Sequence, residues 1–249
     1  MKILLGTPLK VIKTHQRSGP GFRKPGVAVG RIDMREDTLE ALRREKLVAI
    51  VRGLTGAAMQ DLAKAFAAGG IRFMEITFRQ NAPETWAETV RAIAEIRGRG
   101  PEGMHVGAGT VLTLEQLALA RKAGAEYIIS PNADRRIIEA TREAGLVSLP
   151  GALTPTEIAA AHEWGADMVK VFPADCLGPA YIRAVRAPLA HIPLMAVGGI
   201  NERNAAEYIA AGAAGLGVGG NLVNSEWIFT GRFDRIEALA HSFVQAVRG

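Results

Sequence analysis

From residue 35 onward, short apolar runs alternate with stretches of helical periodicity. The runs are Val48-Ala49-Ile50-Val51, Phe73-Met74-Glu75-Ile76, Val106-Gly107-Ala108, Tyr127-Ile128-Ile129, Leu146-Val147-Ser148-Leu149, Met168-Val169-Lys170-Val171, Leu194-Met195-Ala196-Val197 and Gly215-Leu216-Gly217-Val218. Before the first, Arg35 to Lys46 reads as an amphipathic helix with Leu39, Leu42 and Leu47 on one stripe. Between runs, the periodicity predicts helices such as Pro83–Arg97, Leu114–Ala123, Asp134–Ala144, Pro155–Trp164 and Arg203–Ala211. Many end alike: Ala-Gly-Gly at 68–70, Ala-Gly-Ala at 123–125, Ala-Gly-Leu at 144–146, Trp-Gly-Ala at 164–166 and Ala-Gly-Ala at 211–213. A glycine just past a helix supplies its left-handed cap, and a strand follows within a residue or two.

This is a βα unit of roughly 22–25 residues, repeated as parallel sheets with short loops require. Eight units predict an α/β fold of the (β/α)8 TIM-barrel type with an extra N-terminal helix, near the lower size limit of that fold. A doubly wound open sheet is the competing topology. In a barrel, chemistry belongs at the C-terminal ends of the strands and in the loops after them.

The chain has 249 residues, 48% hydrophobic and 22% charged, enough for a sizeable core. No apolar run approaches the roughly 18 residues of a membrane span. The single cysteine, Cys176, excludes an intrachain disulfide framework and suits a reducing compartment. It reads as a small loop or helix-start residue. The net charge of +5 invites a nucleic-acid reading until it is located. Residues 1–33 carry Lys2, Lys10, Lys13, Arg17, Arg23, Lys24 and Arg31 against Asp33, so the remainder is close to neutral. The first 33 residues lack periodicity and are expected to be a basic, disordered extension, with Met34 as the natural first residue and a transit peptide as the alternative. Residues 34–249 are expected to be one barrel domain.

Five strand ends carry candidate chemistry. In Phe73-Met74-Glu75-Ile76-Thr77, period two puts Phe73, Glu75 and Thr77 on one face, and a carboxylate inside an apolar strand needs a partner or a task. Arg79 follows; it could pair with Glu75 or clamp a substrate carboxylate. Lys170 lies in an apolar strand with no acid nearer in sequence than Asp167 or Asp175. Desolvation would favour a neutral, nucleophilic amine, as a Schiff-base lysine requires; a lysine snorkelling to water is the plainer reading. Gly107-Ala108-Gly109-Thr110 ends the third run. Gly198-Gly199 and Gly219-Gly220 follow the seventh and eighth, where such barrels hold phosphate on backbone N–H groups. Gly215 to Gly220 fits G-x-G-x-x-G, but no clear helix opens after it, so a dinucleotide reading is rejected. His15, His105, His162, His191 and His241 lack metal-ligand spacing.

These residues, with Val48-Ala49-Ile50-Val51-Arg52-Gly53, Ile129-Ser130-Pro131-Asn132, Leu149-Pro150-Gly151-Ala152-Leu153-Thr154-Pro155-Thr156-Glu157 and Val169-Lys170-Val171-Phe172-Pro173-Ala174, resemble the 2-keto-3-deoxy-6-phosphogluconate aldolase family, which includes the phosphogalactonate aldolases. The resemblance runs from about residue 38 to 247. It implies a cytoplasmic homotrimer of barrels, without metal or cofactor, that reversibly cleaves a phosphorylated keto-deoxy sugar acid to pyruvate and glyceraldehyde 3-phosphate. By the resemblance Lys170 is the Schiff-base lysine and Glu75 the general acid/base. Arg79 and Thr110 hold the pyruvate carboxylate, Arg52 is a basic pocket residue, and Pro131 and Phe172 are pocket walls. Gly198, Gly199 and Gly219 bind phosphate. Val197, where many phosphogluconate enzymes have Thr, and Gly178-Pro179-Ala180-Tyr181-Ile182 lean towards the phosphogalactonate type. Gly220-Asn221 replaces a common serine-containing turn, which removes one hydroxyl donor from the phosphate site. The rival expectations are a non-catalytic barrel that binds phosphorylated ligands and, resting on the basic arm alone, a nucleic-acid binder.

Overall fold

Wherever the sequence places a short apolar run, the computed structural model, which describes residues 34–249, places a parallel strand. The strands are β1 Leu47–Arg52, β2 Phe73–Thr77, β3 His105–Gly109, β4 Tyr127–Ile129, β5 Val147–Leu149, β6 Gly151–Ala152, β7 Val169–Val171, β8 Leu194–Val197 and β9 Gly215–Val218. Their order is β5-β4-β3-β2-β1-β9-β8-β7-β6. The two ends of that order are one stretch of chain. Only Pro150 separates β5 from β6, and proline has no N–H to give to a ladder. β5 pairs with β4 and β6 with β7, so the bent segment closes the sheet. Lys170 N–H donates to the Pro150 carbonyl at 2.8 Å, and Asp167 N–H to Ser148 O at 2.9 Å, across the same seam. The result is a barrel of eight staves, which removes the open-sheet alternative. β6 is the strand that hydrophobic patterning misses, because Gly151-Ala152 has no apolar signature.

The outer helices are α2 Gly56–Ala68, α3 Trp86–Arg99, α4 Leu114–Lys122, α5 Arg135–Glu143, α6 Pro155–Glu163, α7 Gly178–Arg186, α8 Ala205–Ala210, α9 Ser225–Phe229 and α10 Phe233–Arg248. The helix predicted at Pro83–Arg97 begins instead as a 3-10 turn, Pro83–Thr85, and runs on to Arg99. α4 and α6 start on capping boxes, Thr113 with Gln116 and Thr154 with Glu157, each pair satisfying free amides reciprocally. The repeated Ala-Gly ends supply the left-handed conformation the sequence predicts, for example Gly124 at φ +92°. No described helix is long and apolar enough to cross a membrane.

Two apolar layers result. One lies between the sheet and the outer helices and includes Leu62, Phe66, Met74, Ile93, Ile128, Ile158 and Phe243. The other fills the barrel with Val48, Phe73, Tyr127, Ile129, Val147, Leu149, Met168, Met195 and Val197. The extra N-terminal helix, α1 Met34–Glu45, closes the lower mouth by adding Leu39, Ala41 and Leu42 to this inner layer. Leu47 does not share its stripe: Lys46, at φ +59°, ends the helix and Leu47 opens β1. Arg35 of α1 pairs with buried Asp167, which also accepts from Arg142 Nη1 at 3.0 Å and Ser148 N–H at 2.9 Å. The lower end is therefore tied shut, and the upper, C-terminal end is left for a site. The expected division at residue 33 and the basic extension lie outside the described residues.

Candidate active site

Strand register decides which side chains meet at the upper mouth. Ile50 lies beside Glu75, Glu75 beside Gly107, and Arg52 beside Thr77, which lies beside Gly109. Going round the ring from β2 to β7, three staves intervene on either side. Glu75 and Lys170 therefore stand on opposite walls and point into one interior.

Both are buried, Glu75 at 2% exposure and Lys170 at 7%. Neither forms an ion pair among the described residues, and Glu75 Oε2 has no hydrogen-bond partner. Lys170 does not snorkel to bulk water; its Nζ sits 4.7 Å from the centroid of the Phe172 ring. Burial pushes Glu75 above the usual carboxylate range, against the pull of the Lys170 and Arg52 charges. Burial likewise pushes Lys170 below the usual lysine range, with Arg52 adding to the effect and Glu75 opposing it. The shifts run towards each other, so the pair moves from ammonium–carboxylate towards amine–carboxylic acid. Shifts in these directions favour a neutral amine facing a protonated carboxyl.

Glycines create the room. A Cβ on Gly109 would overlap the Glu75 carboxylate, and one on Gly151 would overlap the Pro131 carbonyl. The cleft above is a cavity of about 490 Å³. Of the residues singled out in the sequence, Arg52, Glu75, Thr110, Pro131, Lys170, Phe172, Val197, Gly198, Gly199, Gly219 and Gly220 line it. Thr110 is held at φ +55°, a costly conformation for a β-branched residue. Arg52 Nε donates to Thr77 Oγ1 at 3.3 Å, which steadies the guanidinium at the rim.

The two glycine pairs differ in their reasons. Gly198 and Gly199 have φ of +110° and +65°, and a Cβ on Gly199 would overlap Asp175. Backbone conformation explains both, and packing against Asp175 adds to it at Gly199. Gly219 would meet only Ile50, at 4.0 Å, and Gly220 nothing within 4 Å. Neither is small because of a protein neighbour, so what their smallness leaves open is the approach to their amides from the cleft.

Arg79 is not brought into the cleft. It is exposed and lines a neighbouring depression with Arg52, Phe78, Gln80, Asn81 and Thr110. It forms no pair with Glu75 among the described residues; the charges acting on Glu75 are those of Lys170 and Arg52. Ile50, Ile200, Gly217 and Asn221 also line the cavity. Ile50 was recoverable by period two from Arg52. Asn221, whose Nδ2 donates to Ile200 O at 2.8 Å, ties the two glycine loops together, a contact no spacing reveals. Cys176 is exposed, in the turn before α7.

With the geometry in place, the chain can be set beside known proteins. Residues 39–239 match the sequence profile of the family described as KDPG and KHG aldolase. A 2-dehydro-3-deoxy-phosphogluconate aldolase of Treponema pallidum (strain Nichols) is 36% identical over 210 residues, covering 84% of this chain and 96% of that one. A 2-dehydro-3-deoxy-6-phosphogalactonate aldolase of Escherichia coli (strain K12) is 34% identical over 204 residues, covering 81% and 94%. Among solved structures, a native KDPGal structure superposes with a TM-score of 0.72 at 34% identity, covering 81% and 94%. A KDPG aldolase from Legionella pneumophila, with pyruvate captured as a covalent carbinolamine, superposes with a TM-score of 0.73 at 25% identity, covering 82% and 97%.

Proposed function

The chain belongs to the KDPG and KHG aldolase family, and from that premise we propose how its own residues perform a class I aldolase reaction on a phosphorylated keto-deoxy sugar acid. The enzyme is a carbon–carbon lyase, as its relatives are. The observation that carries the assignment of residues is the facing pair, Lys170 and Glu75, each buried and without an ion pair among the described residues, with their proton affinities moved towards each other.

Neutral Lys170 attacks the C2 ketone, and the new C–N bond gives a carbinolamine. Glu75 as the acid protonates the departing hydroxyl, water leaves, and a protonated imine remains. Glu75 as carboxylate then takes the C4 hydroxyl proton. The C3–C4 bonding pair flows to the imine nitrogen, giving a neutral enamine and releasing glyceraldehyde 3-phosphate. Glu75 returns its proton to C3, and water hydrolyses the imine to pyruvate and free Lys170. Arg52 and Thr110 hold the carboxylate end, with Arg79 beyond them at the rim. Pro131, Phe172 and Val197 wall the cleft, and the amides of Gly198, Gly199, Gly219 and Gly220 hold the phosphate. The working form is proposed to be a homotrimer in the cytoplasm; a single, exposed, free cysteine suits a reducing compartment.

Pyruvate release followed with lactate dehydrogenase, on the gluconate- and galactonate-derived substrates with and without phosphate, tests the reading. Turnover of the phosphorylated acids is expected, with kcat/KM lower by at least about 10²-fold when phosphate is absent, because charge-assisted contacts to backbone amides are lost. Ligand binding without pyruvate release from any of the four would mean a non-catalytic barrel.

A further inference from the structure

Below Glu75 the barrel holds a second polar group that none of these steps uses. Tyr127, on β4, is fully buried, and its ring fills the hollow left by Gly107 on β3: a Cβ there would overlap the ring. Glu75 fills the next hollow, that of Gly109. Gly107 and Gly109 are two residues apart on one strand and face the same side. The phenol and the carboxylate are thereby stacked one above the other along β3. Among the described residues, Glu75 Oε2 is a buried acceptor with no donor and the Tyr127 hydroxyl a buried donor with no acceptor. The phenol oxygen lies near the amides of Gly107 and Met74, at a geometry that makes no hydrogen bond. Buried polar atoms are nearly always paired, so two complementary orphans in one interior call for an explanation. The rings beneath hold the tyrosine in place. Phe73 tilts against it at 5.7 Å and stacks on His105 at 4.5 Å, and His105 Nδ1 faces Glu126 at 3.3 Å.

From this juxtaposition we propose that Tyr127 is a positioning residue for the proton shuttle. Its hydroxyl donates to Glu75 Oε2 during turnover, directly or through one trapped water, and keeps the carboxylate aimed into the cleft. The inference rests on the role of Glu75 proposed above. Glu75 is also faced by Lys170 from β7 and Arg52 from β1, and Tyr127 by Glu75 from β2 and Glu126 beside it. Burial and the Glu75 charge keep the phenol well above its ordinary range, so it remains an O–H donor throughout the working range. A donor to the ionised carboxylate favours that form and so opposes the burial that raises Glu75.

Tyr127→Phe keeps the ring and deletes only the hydroxyl. The limb of the kcat/KM pH profile that reports ionisation of Glu75 is expected to move upward by about one pH unit. kcat is expected to fall about three- to tenfold with KM little changed. Added to Glu75→Gln, the substitution is expected to cost nothing further. The Glu75 carboxyl infrared band, titrated against pH in both proteins, reads the same shift without turnover. An unmoved profile and band, with a higher melting temperature, would show a tolerated orphan hydroxyl and overturn the proposal while leaving the role of Glu75 intact. Full activity in Glu75→Gln alone would remove both.

Discussion

Lys170→Ala is expected to lower kcat by at least about 10⁴-fold in a chain that remains folded, because it removes the amine proposed to form the imine. The amine is placed for this by the fold and by nothing local. β7 offers Lys170 to the interior, Met195 lies beside it and Met168 below it in the apolar layer, and no acid pairs with it among the described residues. Lys170→Arg should not rescue activity. A guanidinium stays charged at any working pH and has no nucleophilic lone pair to offer. The coupled pyruvate assay measures the loss, and circular dichroism with a melting curve shows that the barrel persists. A variant within tenfold of the native rate would place the nucleophile elsewhere.

Glu75→Gln is expected to lower kcat about 10²–10⁴-fold, the usual worth of a positioned proton shuttle. It also carries a signed pH effect. The carboxylate charge is what holds Lys170 up against burial and Arg52. With glutamine there, burial and Arg52 act unopposed, so Lys170 loses its proton at lower pH. The midpoint for reductive trapping of the imine, measured against pH, is therefore expected to move downward even as turnover fails. An upward or unmoved midpoint would mean that the two groups do not sense each other across the barrel.

Most of the barrel was legible because burial writes itself into a parallel strand as an apolar run, and because each Ala-Gly helix end needs a left-handed residue. β6 was not legible: Gly151-Ala152 is a strand only because Pro150 interrupts the one before it and β7 needs a neighbour. Leu47 was misplaced by one element, since the break at Lys46 is a backbone conformation without a residue-type signal. In the site, Glu75 and Lys170 stood out as charges inside apolar strands, and the cleft gathers them with nine of the other ten predicted residues. Arg79 was the exception, because sequence distance from Glu75 says nothing about which way a loop residue leaves the strand. Tyr127 was hidden for a different reason. On a strand it reads as one more core aromatic, and its place beneath Glu75 depends on two glycines of a third strand.

The central claim is that Lys170 is the covalent nucleophile, and reduction with borohydride in the presence of pyruvate addresses it most directly. Peptide mass spectrometry is expected to find the reduced pyruvate adduct on Lys170 of the native protein and none in Lys170→Ala. An adduct on another lysine, or one that survives in Lys170→Ala, would contradict the account.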